Sequence, residues 1–260
     1  TLDWGNPGPQ ELGFRLEDYV IDRLLPALES ALQHTGRRPV LVGYCMGGLI
    51  ALALAAQRSR DLAGLVLLAT PWDFARDHWV RALPAGLTRT SLGVALAGAG
   101  QLPSCWLELA FAGLDPAQVI ARYAAFPGLP QASERARGFV ALEDWLSDGV
   151  PLAGPVAREC LLDWYLDNAP SRGAWRIGGR PVRPDAIDLP AFVAAPTMDR
   201  IVQETSALAL ADALPNATTI RPPCGHIGMV AGARSKALLG EPLLAWLRRI
   251  ARDGLDPVAA

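Results

Sequence analysis

The sequence predicts an α/β chain in which a mostly parallel, doubly wound sheet is interrupted by an inserted cap. Three observations predict it. Short unbroken apolar runs alternate with segments of helical period near both ends of the chain. A cysteine flanked by glycines sits between one such run and the helix that follows it. From Trp72 to about Ile187 the alternation stops, and the chain becomes rich in Trp, Pro and Gly.

The elements follow in order. Leu16, Val20, Ile21, Leu24, Leu25, Leu28 and Leu32 recur at helical spacing, and the turn-like His34-Thr35-Gly36 ends that helix. Val40-Leu41-Val42-Gly43 is a short buried strand, followed by a sharp turn and an Ala/Leu-rich helix from Leu49 to Gln57. Leu65-Val66-Leu67-Leu68-Ala69 is apolar on both faces, as a parallel strand covered by helices must be. The rhythm resumes with a strand at Ala191 to Ala195, a helix at Ser206 to Leu214, a strand at Ala217 to Ile220 and a last helix at Leu238 to Ile250. The expected division is a first core part at 1–71, a cap at 72–188 and a second core part at 189–260.

Composition removes several function classes. The chain has 260 residues, 51% hydrophobic and 19% charged, with a formal net charge of −2, so there is a full-sized core and no basic stripe for nucleic acid. Four cysteines (Cys45, Cys105, Cys160, Cys224) without a C-x-x-C pair, and three histidines, give no support for a metal cluster. The thiols read as reduced and the compartment as cytoplasmic. The apolar stretch from about Leu83 to Leu102 carries Thr88, Arg89 and Thr90 and many Gly and Ala residues, and reads as a cap helix or interfacial segment rather than a membrane span.

The central signal is Gly43-Tyr44-Cys45-Met46-Gly47 between strand and helix, the form of a nucleophile elbow in an α/β-hydrolase fold. So tight a turn asks for little bulk two residues before and two after the nucleophile, hence Gly43 and Gly47. The following helix aims its N-terminus at Cys45 and offers the Met46 amide as an oxyanion donor. A thiolate nucleophile needs a base, and His226, in the Gly-flanked loop Pro223 to Gly228 after the last strand, is where this fold delivers one. Asp199, in the turn after the strand at Ala191 to Ala195, completes the order Cys, Asp, His, and Asp73 is the alternative acid. His34 reads as a helix-end residue and His78 as a cap residue; Cys105, Cys160 and Cys224 read as packing. Trp72, Trp79, Trp106, Trp145, Trp164 and Trp175 read either as the lining of an acyl pocket or, more often for such a scattered set, as core.

At these residues the sequence resembles the polyhydroxyalkanoate synthase family. Asp3-Trp4-Gly5 is similar to the family's strand end ahead of the nucleophile strand, and Gly43-Tyr44-Cys45-Met46-Gly47-Gly48 to its lipase-like box with cysteine for serine. Thr70-Pro71-Trp72-Asp73-Phe74, Asp163-Trp164-Tyr165 with Asn168, Asp199-Arg200-Ile201-Val202 and Gly225-His226-Ile227-Gly228 look like its other motifs. The family usually has histidine after the aspartate and proline a few residues on, where this chain has Arg200 and Gln203. The resemblance implies an (R)-3-hydroxyacyl-CoA substrate, a polyester product with release of CoA, no cofactor, and work at a granule surface, with a homodimer through the cap among the assemblies it allows. It also implies upstream strands, and a second oxyanion N–H, before Thr1; without those strands a sheet edge stays unpaired.

Two other readings use the same residues or fewer. A thioesterase or polyester depolymerase needs the same Cys45, Asp199 and His226 but admits water to the acyl-enzyme. A catalytically silent relative would bind granules or a synthase partner through the apolar cap, a reading that the intact Cys, Asp and His oppose.

Overall fold

The computed structural model describes residues 1–76, 90, 93–94, 96 and 100–254. His78, Trp79 and most of the apolar stretch from Leu83 to Leu102 lie outside these. Among the described residues no helix is long and apolar enough to cross a membrane.

Helix α1 runs continuously through Leu16–Asp18, Tyr19–Leu24 and Leu25–Thr35, and its middle segment is wound wide, as a π-helix. The wide turn directly precedes Pro26, which has no N–H to give to the preceding turn, so the widening absorbs a missing hydrogen bond. Leu16, Val20 and Leu28 are its buried stripe. Gly36 ends it in the left-handed conformation (φ 60°), its N–H donating to the Leu32 carbonyl at 2.8 Å.

Strand β1 (Val40–Tyr44), helix α2 (Met46–Arg58) and strand β2 (Gly64–Leu68) follow. Every residue of β2 is buried, as its two-faced apolar run requires. Next come β3 (Gln101–Leu102), α3 (Ser104–Ala112), α4 (Pro116–Ala125), α5 (Glu134–Ser147) and β4 (Leu152–Ala153). Helix α6 joins Gly154–Arg158 to a wide segment Glu159–Leu166, and the hairpin strands β5 (Arg176–Ile177) and β6 (Arg180–Pro181) come after it. Strands β3 and β4 pair antiparallel, as do β5 and β6, so the short strands of this region stand apart from the parallel sheet.

The sheet is rebuilt by β7 (Ala191–Ala194), α7 (Glu204–Ala213), β8 (Ala217–Ile220), α8 (His226–Ala231) and α9, which joins Lys236–Gly240 to Glu241–Gly254. Its order among the described residues is β1-β2-β7-β8, all parallel. One face is covered by α1, α2 and α7 through Leu49, Leu52, Leu65, Leu67, Val193 and Leu210. The other is covered by α9, where Trp246 lies 5.6 Å from the Phe192 ring with Val66 and Ile250 around it.

At Asp3-Trp4-Gly5 the Asp3 carboxylate accepts the Gly5 N–H at 2.9 Å and Gly5 takes φ 64°, a local turn. Trp4 packs edge-on against Tyr19, 5.5 Å away. Strand β1 lies at an edge of the described sheet, and Val42 in its middle is 55% exposed.

Candidate active site

Parallel register places the carboxyl ends of all four strands on one rim. Tyr44 stands beside Leu68 and Leu68 beside Ala194, which stands beside Ile220. The loops carrying Cys45, Thr70, Asp199 and His226 therefore leave the sheet at one edge, where open α/β sheets bind ligands.

Cys45 is the single residue between β1 and α2, with φ 53° and ψ −125°. Such a conformation costs a non-glycine residue about 1–3 kcal/mol and persists only when its surroundings impose it. Here the Cys45 N–H donates to the Leu68 carbonyl at 2.8 Å, and the Gly48 N–H donates to the Cys45 carbonyl at 3.0 Å. A Cβ on Gly43 would lie 2.5 Å from the Gly47 carbonyl oxygen and the Gly48 Cα, so strand and helix touch there. A Cβ on Gly48 would fall 1.9 Å from Thr70 Oγ1, whereas one on Gly47 would meet nothing within 4 Å. The steric demand after the cysteine thus falls on Gly48, not on Gly47 as the motif spacing suggests. Met46 opens α2, which sets its amide in the helix's first turn beside Cys45.

Asp199 and His226 meet as a buried pair, 5% and 8% exposed. Asp199 Oδ1 accepts the N–H groups of Ile201 and Val202 at 2.8 and 2.9 Å, which fixes the carboxylate plane. Its Oδ2 accepts from His226 Nδ1 at 2.6 Å, which leaves Nε2 for other chemistry. Burial works against a charged imidazole, but hydrogen bonds to Asp199 and Cys45, with their electrostatic attraction, outweigh it and push His226 up to about 10. The histidine that Cys45 contacts is therefore largely an imidazolium at neutral pH.

The alternative acid is engaged elsewhere. Asp73 accepts from Arg76 Nε at 2.7 Å and from Asn168 Nδ2 at 2.8 Å, while Asn168 Oδ1 accepts the Phe74 N–H at 2.9 Å. Asn168, in the left-handed region at φ 52°, thereby ties the end of α6 to the loop after β2. His34 is exposed in the last turn of α1, bonded to the Ser30 carbonyl at 2.8 Å, ahead of the opposite end of β1 from Cys45. Cys160 is buried and Cys105 exposed, and burial pushes the Cys224 thiol up.

None of the described tryptophans lines the space beside His226. Trp72, Trp164 and Trp175 are core residues, with Trp164 edge-on to Trp175 at 5.2 Å, and Trp106 and Trp145 face solvent. A cavity of about 350 Å³ contains His226 together with Met198, Arg200, Ile201 and Ile227. It shares Arg122, Arg200, Ile201 and Ile227 with a second cavity of about 320 Å³, whose other walls include Phe111, Leu114, Val119 and Leu146 of the region between β3 and β4. The apolar lining thus comes mostly from aliphatic side chains, with Met198, Phe111 and Tyr123. Tyr44 is a site residue that motif reading passed over: its ring lies 4.8 Å from the His226 imidazole. Strand parity was the available signal, since Val40, Val42 and Tyr44 share the face of β1 opposite Gly43.

This strand–elbow–helix with a buried Asp–His pair on the same rim is an arrangement of one fold class, and sequence comparison agrees. A model described as alpha/beta hydrolase fold matches residues 2–233, and the chain belongs to that family. Within it, the chain is similar along nearly its whole length to curated proteins named poly(3-hydroxyalkanoate) polymerase subunit PhaC, in agreement with the motif resemblance. It is 28% identical over 255 residues to the one from Synechocystis sp., covering 95% of this chain and 68% of that one. To the one from Haloferax mediterranei it is 25% identical over 259 residues, covering 98% of this chain and 53% of that one. Among solved structures, a thermophilic esterase from Thermogutta terrifontis superposes with a TM-score of 0.53 at 19% identity, over 91% of this chain and 73% of that one, a likeness of fold.

Proposed function

We propose that the chain is a polyhydroxyalkanoate synthase-type acyltransferase that polymerises (R)-3-hydroxyacyl-CoA through a covalent thioester on Cys45, with His226 as base and Asp199 as its orienting acid. The observation that carries the reading is Cys45 held at positive φ on the rim where the buried Asp199–His226 pair stands, Nδ1 to Oδ2 at 2.6 Å. Similarity to proteins named as polymerase subunits supports the substrate class. Residues 72–188 act as the cap over this rim, and the paired cavities between cap and loops receive the acyl group. A polyester granule surface is the expected setting.

In the first step the Cys45 sulfur, its proton passed to His226, attacks the thioester carbonyl carbon, the bond to the CoA sulfur breaks, and His226 gives that proton to the departing CoA sulfur. The Met46 amide donates to the carbonyl oxygen while it carries negative charge. In the second step His226 takes the proton of a 3-hydroxyl group. The hydroxyl oxygen attacks the acyl-Cys45 carbonyl, the C–S bond breaks, and an ester results. Exchange of one thioester for another is nearly isoenergetic, so the acyl group remains activated until the hydroxyl arrives.

The test is CoA release from (R)-3-hydroxybutyryl-CoA, with products sorted into insoluble polyester and free acid, for the chain and for Cys45→Ala. Polymer made by the first and not the second is the expected result. Free acid with the same dependence makes the protein a hydrolase, and CoA release unaffected by Cys45→Ala overturns the covalent mechanism.

A further inference from the structure

We propose that Tyr44 is a positioning residue for His226, its ring forming the shelf on which the imidazole rests between Asp199 and Cys45. The inference builds on the catalytic reading of Cys45 and His226. Tyr44 is the last residue of β1, beside Leu68, and packs with Val66, Leu68, Ala69 and Met229 on the face covered by α8 and α9. Its ring centroid lies 4.8 Å from that of His226 with the planes at 33°. This separation is within the reach over which an aromatic face attracts a cation, and His226 is held largely as a cation.

The hydroxyl of Tyr44 is buried and has no hydrogen-bond partner among the described residues. Burying a phenol oxygen unpaired is unfavourable by roughly 1–3 kcal/mol, so the hydroxyl does not explain the tyrosine. What the residue offers the site is its ring. The Asp199 hydrogen bond at Nδ1 already anchors one edge of the imidazole, and the attraction of Cys45 favours its protonated form. A single bond at Nδ1 leaves the ring free to tip about it, and a flat partner against its face restrains that motion. The titratable and charged groups around His226 are Cys45 from the elbow, Asp199 from the acid turn, Tyr44 from β1 and Cys224 from its own loop, with Arg122 and Arg200 on the walls of its cavity.

The test separates ring from hydroxyl and from bulk. Tyr44→Phe and Tyr44→Leu are compared with the unaltered chain by NMR titration of His226 and by the pH profile of Cys45 alkylation with iodoacetamide, assigned by mass spectrometry, with thermal unfolding as the check on folding. Expected for Tyr44→Phe is a titration midpoint and alkylation profile superimposable on the unaltered chain. Expected for Tyr44→Leu is a midpoint lowered by about one pH unit and Cys45 alkylation slowed about tenfold at pH 7. A Tyr44→Phe variant that shifts either profile overturns the proposal, and so does a folded Tyr44→Leu variant that shifts neither. Should the leucine variant not fold, Tyr44→Met takes its place under the same criteria, and the phenylalanine variant decides in any case. A Cys45 no more reactive than Cys105 in the unaltered chain would count against the acyl-transfer reading, whereas the His226 titration reports on the shelf regardless.

Discussion

The rim of the parallel sheet and the region between β3 and β4 are built to different standards. At the rim, backbone fixes Cys45, through bonds to Leu68 and Gly48, and Asp199, through the amides of Ile201 and Val202, and Asp199 in turn holds His226. In the region between β3 and β4, α3 buries none of its residues, and Trp106 and Leu109 on it are 64% and 68% exposed. Contacts there run between side chains, such as Phe126 stacked on Phe139 at 4.5 Å and Tyr123 donating to Glu143 at 2.6 Å. The difference teaches where precision is needed. Attack on a carbonyl requires atoms held to a fraction of an ångström, and strand register supplies that, while an acyl chain needs only an apolar enclosure.

The comparison predicts that the most sensitive position is the acid. An asparagine in place of Asp199 could still accept the Ile201 and Val202 amides through its oxygen, leaving an NH2 group toward His226 Nδ1. The imidazole must then accept at Nδ1 and carry its proton on Nε2, the wrong tautomer for a base. Asp199→Asn is expected to lower kcat for CoA release on the order of 10⁴-fold, with folding retained. The same variant has a pH signature. Because folding raises His226 from its ordinary value of 6.5 to about 10, its stabilisation is fully present below 6.5 and is lost as pH rises through 10. Urea unfolding across that window should show the advantage of the unaltered chain over Asp199→Asn shrinking with rising pH; a constant difference would mean His226 is not held charged.

The elbow supplies the next largest effect, on stability. Gly48→Ala drives a methyl into Thr70 Oγ1 at 1.9 Å, between two elements that cannot both retreat, and should destabilise by about 1–3 kcal/mol or more. Gly47→Ala meets no atom within 4 Å and lies in a helix, where alanine is the better former, so it should be neutral or slightly stabilising. Chemical denaturation of both variants distinguishes the two glycines. Equal losses would sink the steric assignment.

The same contrast explains what could be read from the sequence. All four parallel strands, the α1 stop at Gly36 and the positions of Asp199 and His226 were legible because each depends on a local pattern: a two-faced apolar run, a left-handed cap, a turn after a strand. Gly48 was not legible as the crowded glycine, because its neighbour Thr70 is brought in by pairing of β1 with β2, which no short motif encodes. Nor was the wide turn before Pro26, since helical periodicity averages over such a local rearrangement. The tryptophans were legible in the commoner of their two readings, since Trp72, Trp164 and Trp175 fill the core, whereas which side chains wall the cavities was not, because Leu114, Val119 and Leu146 meet Ile201 and Ile227 there across long stretches of sequence.

Where the two regions join, an intermediate effect is expected. Asn168 satisfies the Phe74 amide and holds Asp73 while occupying φ 52°. Asn168→Gly keeps that backbone conformation open and deletes both bonds, so its cost, roughly 1–2 kcal/mol, reports the side chain alone. Asn168→Ala should cost more, because alanine also resists the left-handed region. If the glycine variant matches the unaltered chain in denaturation, the joint is held by packing of Phe74 against Trp164 and Tyr165 instead.

The smallest effect is expected on α3. Trp106 is 64% exposed, so Trp106→Ser removes little buried surface and should change stability by less than about 0.5 kcal/mol, as for an ordinary surface position. Thermal unfolding at two protein concentrations tests it. A loss above about 1 kcal/mol that vanishes on dilution would mean that a second copy covers α3, since only a bimolecular contact weakens with concentration. A loss independent of concentration would mean that the chain itself covers Trp106. Either result would raise the region between β3 and β4 toward the rim in order and narrow the contrast, whereas a null effect leaves the contrast as the surface of α3 shows it.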